Sequence, residues 1–170
     1  FIGPPLKDSF KGFYAMSEED AVRAVAYYRE YFSTKGLYEN EVYSGIEEIL
    51  SYIQAQGSSN IVVTSKPTLY AEKIVSHFNL HRYFTRVIGS NMDLTMTDKG
   101  ELIAYALEQF RFEPSECVMI GDREHDIIGA KKNGVGNIAV IWGYGTRDEL
   151  EKTQAEHIAE SFEQLKVIIS

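Results

Sequence analysis

Cys117-Val118-Met119-Ile120-Gly121-Asp122-Arg123-Glu124-His125-Asp126-Ile127-Ile128-Gly129-Ala130 passes from an apolar run, through a glycine and a string of charged residues, into a helical pattern. The run at 117–120 is too short for a helix and has no polar alternation, which predicts a strand covered on both faces. Residues 124–133 read as the helix that follows it. The same grammar holds on either side. Asn60-Ile61-Val62-Val63-Thr64 is an apolar strand, followed by Ser65-Lys66 and a helix from Pro67 to Phe78. Pro67 stands near the first helical position, where a missing amide costs nothing. Val87-Ile88 predicts a short strand and Lys99 to Phe110 a helix, with Leu102, Ile103, Ala106, Leu107 and Phe110 on one face. Asn137 to Trp142 is another strand. A strand near Ile158 and a helix from Phe162 to Ile169 complete the series. Strand–helix alternation with apolar strands implies an α/β fold: a parallel sheet flanked by helices.

Ahead of this series the rhythm is different. Ser17-Glu18-Glu19-Asp20 supplies an N-cap hydroxyl, acidic residues in a first turn and an acid at the capping-box position. Val22, Val25, Tyr28 and Phe32 then repeat at helical spacing, and Gly36 closes the segment. Six of the 11 tyrosines lie between Tyr14 and Tyr43, so this helix is expected to pack on another helix and to turn part of its face toward a ligand. A short helix before Ser17 follows the Gly3-Pro4-Pro5 turn. Ile46, Ile49, Leu50 and Ile53 form one more helical face, ended by Gly57. These readings divide the chain into a helical unit at 1–41 and an α/β core at 42–170.

Composition narrows the functions. The 170 residues carry 17 Lys and Arg against 25 Asp and Glu, a net charge of −8, with 44% apolar residues. This is the profile of a folded globular chain. It lacks the clustered basic residues that phosphate-backbone binding needs, which argues against a nucleic-acid partner. No apolar run approaches the ~20 residues of a membrane span. The single Cys117 allows no internal disulfide and fits a reducing compartment, the cytoplasm.

In open α/β sheets ligands bind at the carboxyl ends of the strands. Thr64-Ser65-Lys66-Pro67 follows the first apolar strand, Lys99 opens a later helix, and Asp122 and Asp126 follow the 117–120 strand. Gly143-Tyr144-Gly145-Thr146 follows the next one. A hydroxyl beside free helix amides and a lysine suit a phosphate; a carboxylate fixed at a strand end suits Mg²⁺. Asp126 would hold a metal-bound water or orient Lys99. Taken singly, each residue has an ordinary reading: a cap, a solvated lysine, a turn. His125 reads as a neighbour of the site or as surface. Gly134-Val135-Gly136 lacks the context of a dinucleotide loop.

The order Thr64-Ser65-Lys66-Pro67, then Lys99, then Gly121-Asp122-x-x-x-Asp126 resembles the second, third and fourth motifs of the haloacid dehalogenase phosphohydrolases. The stretch 121–130 followed by Gly143-Tyr144-Gly145 is similar to the branch with phosphoglycolate phosphatases and 5′-nucleotidase-like enzymes. Phe1-Ile2-Gly3-Pro4-Pro5-Leu6 resembles that branch's substrate-specificity loop. The resemblance implies a Rossmann-like core with a small helical cap, and a Mg²⁺-dependent phosphatase acting on a small phosphorylated metabolite through an aspartyl-phosphate. It implies that Thr64 binds the transferred phosphate with help from the Ser65 amide, that Lys99 neutralises it, that Asp122 ligates Mg²⁺, and that Asp126 supports the site. The family's first motif, Asp-x-Asp-Gly-Thr, has no match before Thr64: Lys7-Asp8-Ser9 and Glu19-Asp20-Ala21 stand in the wrong context. Its central strand is therefore expected upstream of Phe1. The strands at Ile61 and Val118 should then not pair directly with each other. A non-catalytic relative that binds a phosphorylated ligand or a protein partner remains the alternative, ahead of a phospho-acceptor signalling domain.

Overall fold

The computed structural model describes residues 5–170, so the first four residues of the 1–6 loop reading lie outside the described residues. Strands β1 (Asn60–Pro67) and β2 (Phe84–Ser90) pair in parallel, with Val62 opposite Val87 and Thr64 opposite Gly89. Strands β3 (Val118–Gly121), β4 (Gly136–Val140) and β5 (His157–Ala159) form a second parallel set in the order β3-β4-β5. No ladder joins β1 to β3 among the described residues. Val118 on the outer strand is half exposed.

Helices cover both faces of the β3–β5 set. Strand β4 presents Ile138 and Val140 to one side, where they pack with Ile49 of α3 (Ile46–Ala55) and Leu165 of α8 (Phe162–Ile168). It presents Ala139 to the other, against Ile127 of α6 (Glu124–Lys132) and Leu150 of α7 (Arg147–Lys152). The strand is apolar throughout because both of its faces are inside. Helix α5 (Lys99–Phe110) joins the strand sets: Leu102 and Ala106 pack with Ile88, while Ile103 packs with Ala130 and Val135. Its Asp98 cap accepts from the Glu101 amide at 3.0 Å.

The N-terminal helices, α1 (Leu6–Tyr14) and α2 (Glu18–Tyr31), are joined by Lys7 and Lys11 reaching Glu18 at 2.7 and 2.6 Å. Exposed pairs of this kind orient helices more than they stabilise them. Ser17 caps α2 by accepting from the Asp20 amide at 3.1 Å. A π-helical turn, Phe32–Gly36, then brings Phe32 and Leu37 onto Tyr70 of α4 (Thr68–His77).

Several boundaries differ from the sequence reading. Strand β1 runs on to Pro67, which makes Pro67 the N-cap of α4 rather than part of its first turn. The buried residues of α2 are Ala21 and Val25, with Phe32 following in the π-helical turn; Val22, one position off the inward stripe, is 44% exposed. Helix α7 has a single buried residue, Leu150, and so no apolar periodicity to announce it.

Truncating the fully buried Leu102 to Ala should lower the unfolding free energy by about 2–5 kcal/mol. Val22→Ala should stay within about 0.5 kcal/mol of the parent, both measured by urea denaturation.

Candidate active site

Strand β1 delivers Thr64 and Ser65 to the carboxyl end of its sheet, and the α6 entry delivers Asp122 and Asp126. All of them, with Lys99, line a single cavity of about 370 Å³. Thr64 Oγ1 accepts from the Lys66 amide at 3.2 Å, which fixes the hydroxyl oxygen and leaves its O–H as a donor. Ser65 is committed elsewhere. Its hydroxyl donates to the Thr97 carbonyl at 3.0 Å, and its own carbonyl accepts from Ser90 at 2.8 Å. Its side chain therefore ties β1 to the loop that leads into α5.

Lys99, the first residue of α5, donates to the Val63 carbonyl at 2.8 Å and pairs with Asp126 Oδ1 at 2.9 Å. The side chains are 11% and 10% exposed, so the pair sits largely out of water. The other Asp126 oxygen accepts from the Arg123 amide at 3.1 Å, closing the first turn of α6. Glycines permit this approach. A Cβ on Gly121 would fall 2.3 Å from Asp126 Cβ, and one on Gly129 would fall 3.0 Å from Lys99 Cγ. Asp126 thus takes the lysine-orienting arrangement of the two read from the sequence.

Asp122 follows β3 directly, and its Oδ2 accepts from the Tyr144 amide at 2.7 Å. The loop after β4 wraps closely around it. A Cβ on Gly143 would lie 2.2 Å from Asp122 Oδ2, and one on Gly145 would lie 1.9 Å from the Asp122 carbonyl oxygen. The α6 entry is pinned further by Glu149 of α7, whose Oε1 accepts from Arg123 Nε at 2.8 Å and the Glu124 amide at 2.9 Å. Burial pushes the Glu149 carboxyl up, but the Arg123 and amide hydrogen bonds outweigh it and leave it below its ordinary value.

Asp122 has one oxygen open to a cation: its Oδ1 has no hydrogen-bond partner among the described residues, and the glycine loop leaves room for nothing larger around Oδ2. Among the described residues no group of three or more His, Cys, Asp or Glu gathers to hold a metal. Mg²⁺ commonly takes only one or two carboxylates, filling its shell with water and phosphate oxygens. One hard carboxylate on the wall of a cavity with room for a phosphate group and water fits that habit.

Tyr28 and Phe32, on the aromatic helical segment expected to turn toward a ligand, line the cavity, as does His125, read as a neighbour of the site or as surface. Lys66, Arg29 and Tyr70 line it too, and the sequence reading gives them no role there. Arg29 Nη1 also donates to the Met92 carbonyl at 2.6 Å, joining α2 to the loop after β2. Strand alternation offered a signal for Lys66, since residues i and i+2 share a side and Thr64 was already placed. Arg29 offered none, because its approach depends on how the N-terminal helices sit on the sheet.

A family model described as haloacid dehalogenase-like hydrolase matches residues 1–140. A 5′-nucleotidase of Pseudomonas aeruginosa is 42% identical over 169 residues, covering 99% of this chain and 76% of that protein. The tyrosine-protein kinase PtkA of Mycobacterium tuberculosis is 35% identical over 153 residues, 89% of this chain and 52% of the kinase. A crystal structure of a predicted phosphatase from Clostridium acetobutylicum superposes with a TM-score of 0.96 at 43% identity, covering 98% of this chain and 77% of that one.

Asp126→Asn removes the partner of a buried lysine, and should destabilise the protein by about 3–5 kcal/mol in urea denaturation. A loss under about 1 kcal/mol would mean that the pair is solvated and does not fix Lys99.

Proposed function

The chain belongs to the haloacid dehalogenase-like hydrolases, and from that membership we propose that it is the larger part of a Mg²⁺-dependent phosphatase of small phosphomonoesters. The observation that carries this reading is the meeting of Thr64, Lys99 and Asp122 on one cavity, from three separate stretches of chain. Nucleoside monophosphates and phosphoglycolate are the candidate substrates, given the names of similar proteins. Residues 1–41 are assigned as a partial cap and 42–170 as the core.

In this proposal the nucleophile is an aspartate on a strand upstream of residue 1, seated between β1 and β3. The phosphorus–oxygen bond to the leaving group breaks as the carboxylate oxygen bonds to phosphorus, and the second aspartate of the same upstream motif protonates the departing oxygen. Water, giving a proton back to that aspartate, then cleaves the acyl phosphate, releasing phosphate and restoring the carboxylate. Such transfers depend on positioning and on neutralising charge at the phosphoryl oxygens. Thr64 donates its hydroxyl to one of those oxygens, and the Ser65 amide to another. Lys99 brings a positive charge to the phosphate while Val63 and Asp126 hold its Nζ in place. Asp122 would hold Mg²⁺, whose role is to neutralise phosphoryl charge when bound. Asp126 acts through Lys99 and is a positioning residue.

No helix among the described residues is long and apolar enough to cross a membrane. A cytoplasmic location belongs to the proposal and is supported by a single, free cysteine.

The test is phosphate release by the full-length protein from a phosphomonoester panel, with and without Mg²⁺. Asp122→Asn and Lys99→Met should each lower kcat by about 10²-fold or more, as the loss of one preorganised electrostatic contact does. Wild-type turnover that persists in EDTA, or an Asp122→Asn enzyme of unchanged kcat, would remove the metal role.

A further inference from the structure

Lys66 is a cation that the hydrolytic scheme above does not use. It lies two residues beyond Thr64 on β1, lines the same cavity and is half-buried. Its Nζ sits 4.4 Å from the centroid of the Phe32 ring, at the end of the cavity formed by the N-terminal helices. The other Lys and Arg side chains on the cavity wall have protein partners: Lys7 pairs with Glu18, Lys99 with Asp126 and Arg123 with Glu149, while Arg29 donates to the Met92 carbonyl. Lys66 has neither an ion pair nor a side-chain hydrogen bond among the described residues. Desolvation of the half-buried ammonium pushes its pKa below the ordinary lysine value.

A cation on an aromatic face gains from the ring but still has N–H donors to satisfy. In a cavity it shares with Thr64 and Lys99, those donors are open to a ligand. Lys99 is held on the core by Val63 and Asp126, whereas Lys66 is held against the cap by Phe32. These cations are therefore fixed by different elements. With the transferred phosphate at Thr64 and Lys99, the group facing Lys66 belongs to the leaving portion. Phe32 is itself fixed by Tyr28, stacked at 5.1 Å, and by Tyr70, edge-on at 5.6 Å, so the ammonium has a rigid seat.

We infer that Lys66 is a specificity-determining residue, donating to an oxygen acceptor carried on the leaving group of the phosphomonoester. This rests on the phosphatase reading above. The acceptor is either a carboxylate, as on phosphoglycolate, or a base carbonyl, as on a nucleoside monophosphate. Phenyl phosphate carries neither and serves as the reference.

The experiment measures kcat and KM of the full-length enzyme, its Lys66→Met variant and its Lys66→Arg variant on phosphoglycolate, uridine 5′-monophosphate and phenyl phosphate. A charged hydrogen bond corresponds to about tenfold or more in affinity. Lys66→Met should raise KM by that factor for one of the acceptor-bearing substrates, with kcat and the phenyl phosphate constants nearly unchanged, and Lys66→Arg should recover most of the loss. Whichever substrate responds identifies the acceptor. An equal loss on all of them, or no loss on any, overturns the inference. So does a wild-type enzyme that binds phenyl phosphate as well as both others, a result that stands even if Lys66→Met does not fold. Should none of these compounds be hydrolysed, the phosphatase reading fails, and calorimetric binding decides Lys66 separately. Weakening of an organic phosphate with inorganic phosphate unaffected supports the inference. Equal weakening, or no wild-type binding, contradicts it.

Discussion

The ion pair between Lys99 and Asp126 joins what the sheet leaves apart. Strands β1 and β3 share no ladder among the described residues, and the β1–β2 and β3–β5 sets are bridged at the site by one ammonium. It reaches the Val63 carbonyl on one side and the Asp126 carboxylate on the other. A largely buried lysine is costly unless it is fully satisfied. Here the satisfying groups come from different elements, so the lysine is held only when α5 and α6 are packed. The glycines at 121 and 129 make that packing close enough. The Thr64 and Asp122 sides of the cavity are joined by this ion pair and by the apolar packing of α5 on both strand sets.

A division of labour follows for the carboxylates. Asp126 has both oxygens engaged, by Lys99 and by the Arg123 amide. Asp122 has one oxygen fixed by the Tyr144 amide and another without a protein partner among the described residues. Spaced four residues apart on the same strand–helix junction, they are placed for opposite tasks: one is consumed by structure, the other presented to the cavity. Glu149 supports both by tying the start of α6 to α7.

Much of this was legible in the sequence, for physical reasons. Helix α5 spans Lys99–Phe110 as its periodicity indicated, because its apolar stripe is long and its face is buried on two sheet segments. The β1, β3 and β4 strands were visible because strands covered on both faces lose polar alternation. Thr64, Asp122 and Asp126 stand at strand ends and Lys99 at a helix start, positions visible in the sequence, and all of them line one cavity. What escaped was set by tertiary packing. Helix α7 has only Leu150 to bury, and the true inward stripe of α2 runs through Ala21 and leaves Val22 outside. Lys66 follows Thr64-Ser65 directly, but its aromatic partner Phe32 lies 34 residues upstream and only the fold brings them together.

The most direct measurement is a crystal structure of the full-length protein with Mg²⁺ and orthovanadate, an oxyanion that mimics the phosphoryl group in transfer. The vanadium oxygens should lie within hydrogen-bond distance of Thr64 Oγ1 and Lys99 Nζ, with the cation on an Asp122 oxygen. Vanadate bound away from Thr64 and Lys99, or a cation held without Asp122, would contradict the convergence of these side chains on one phosphoryl site.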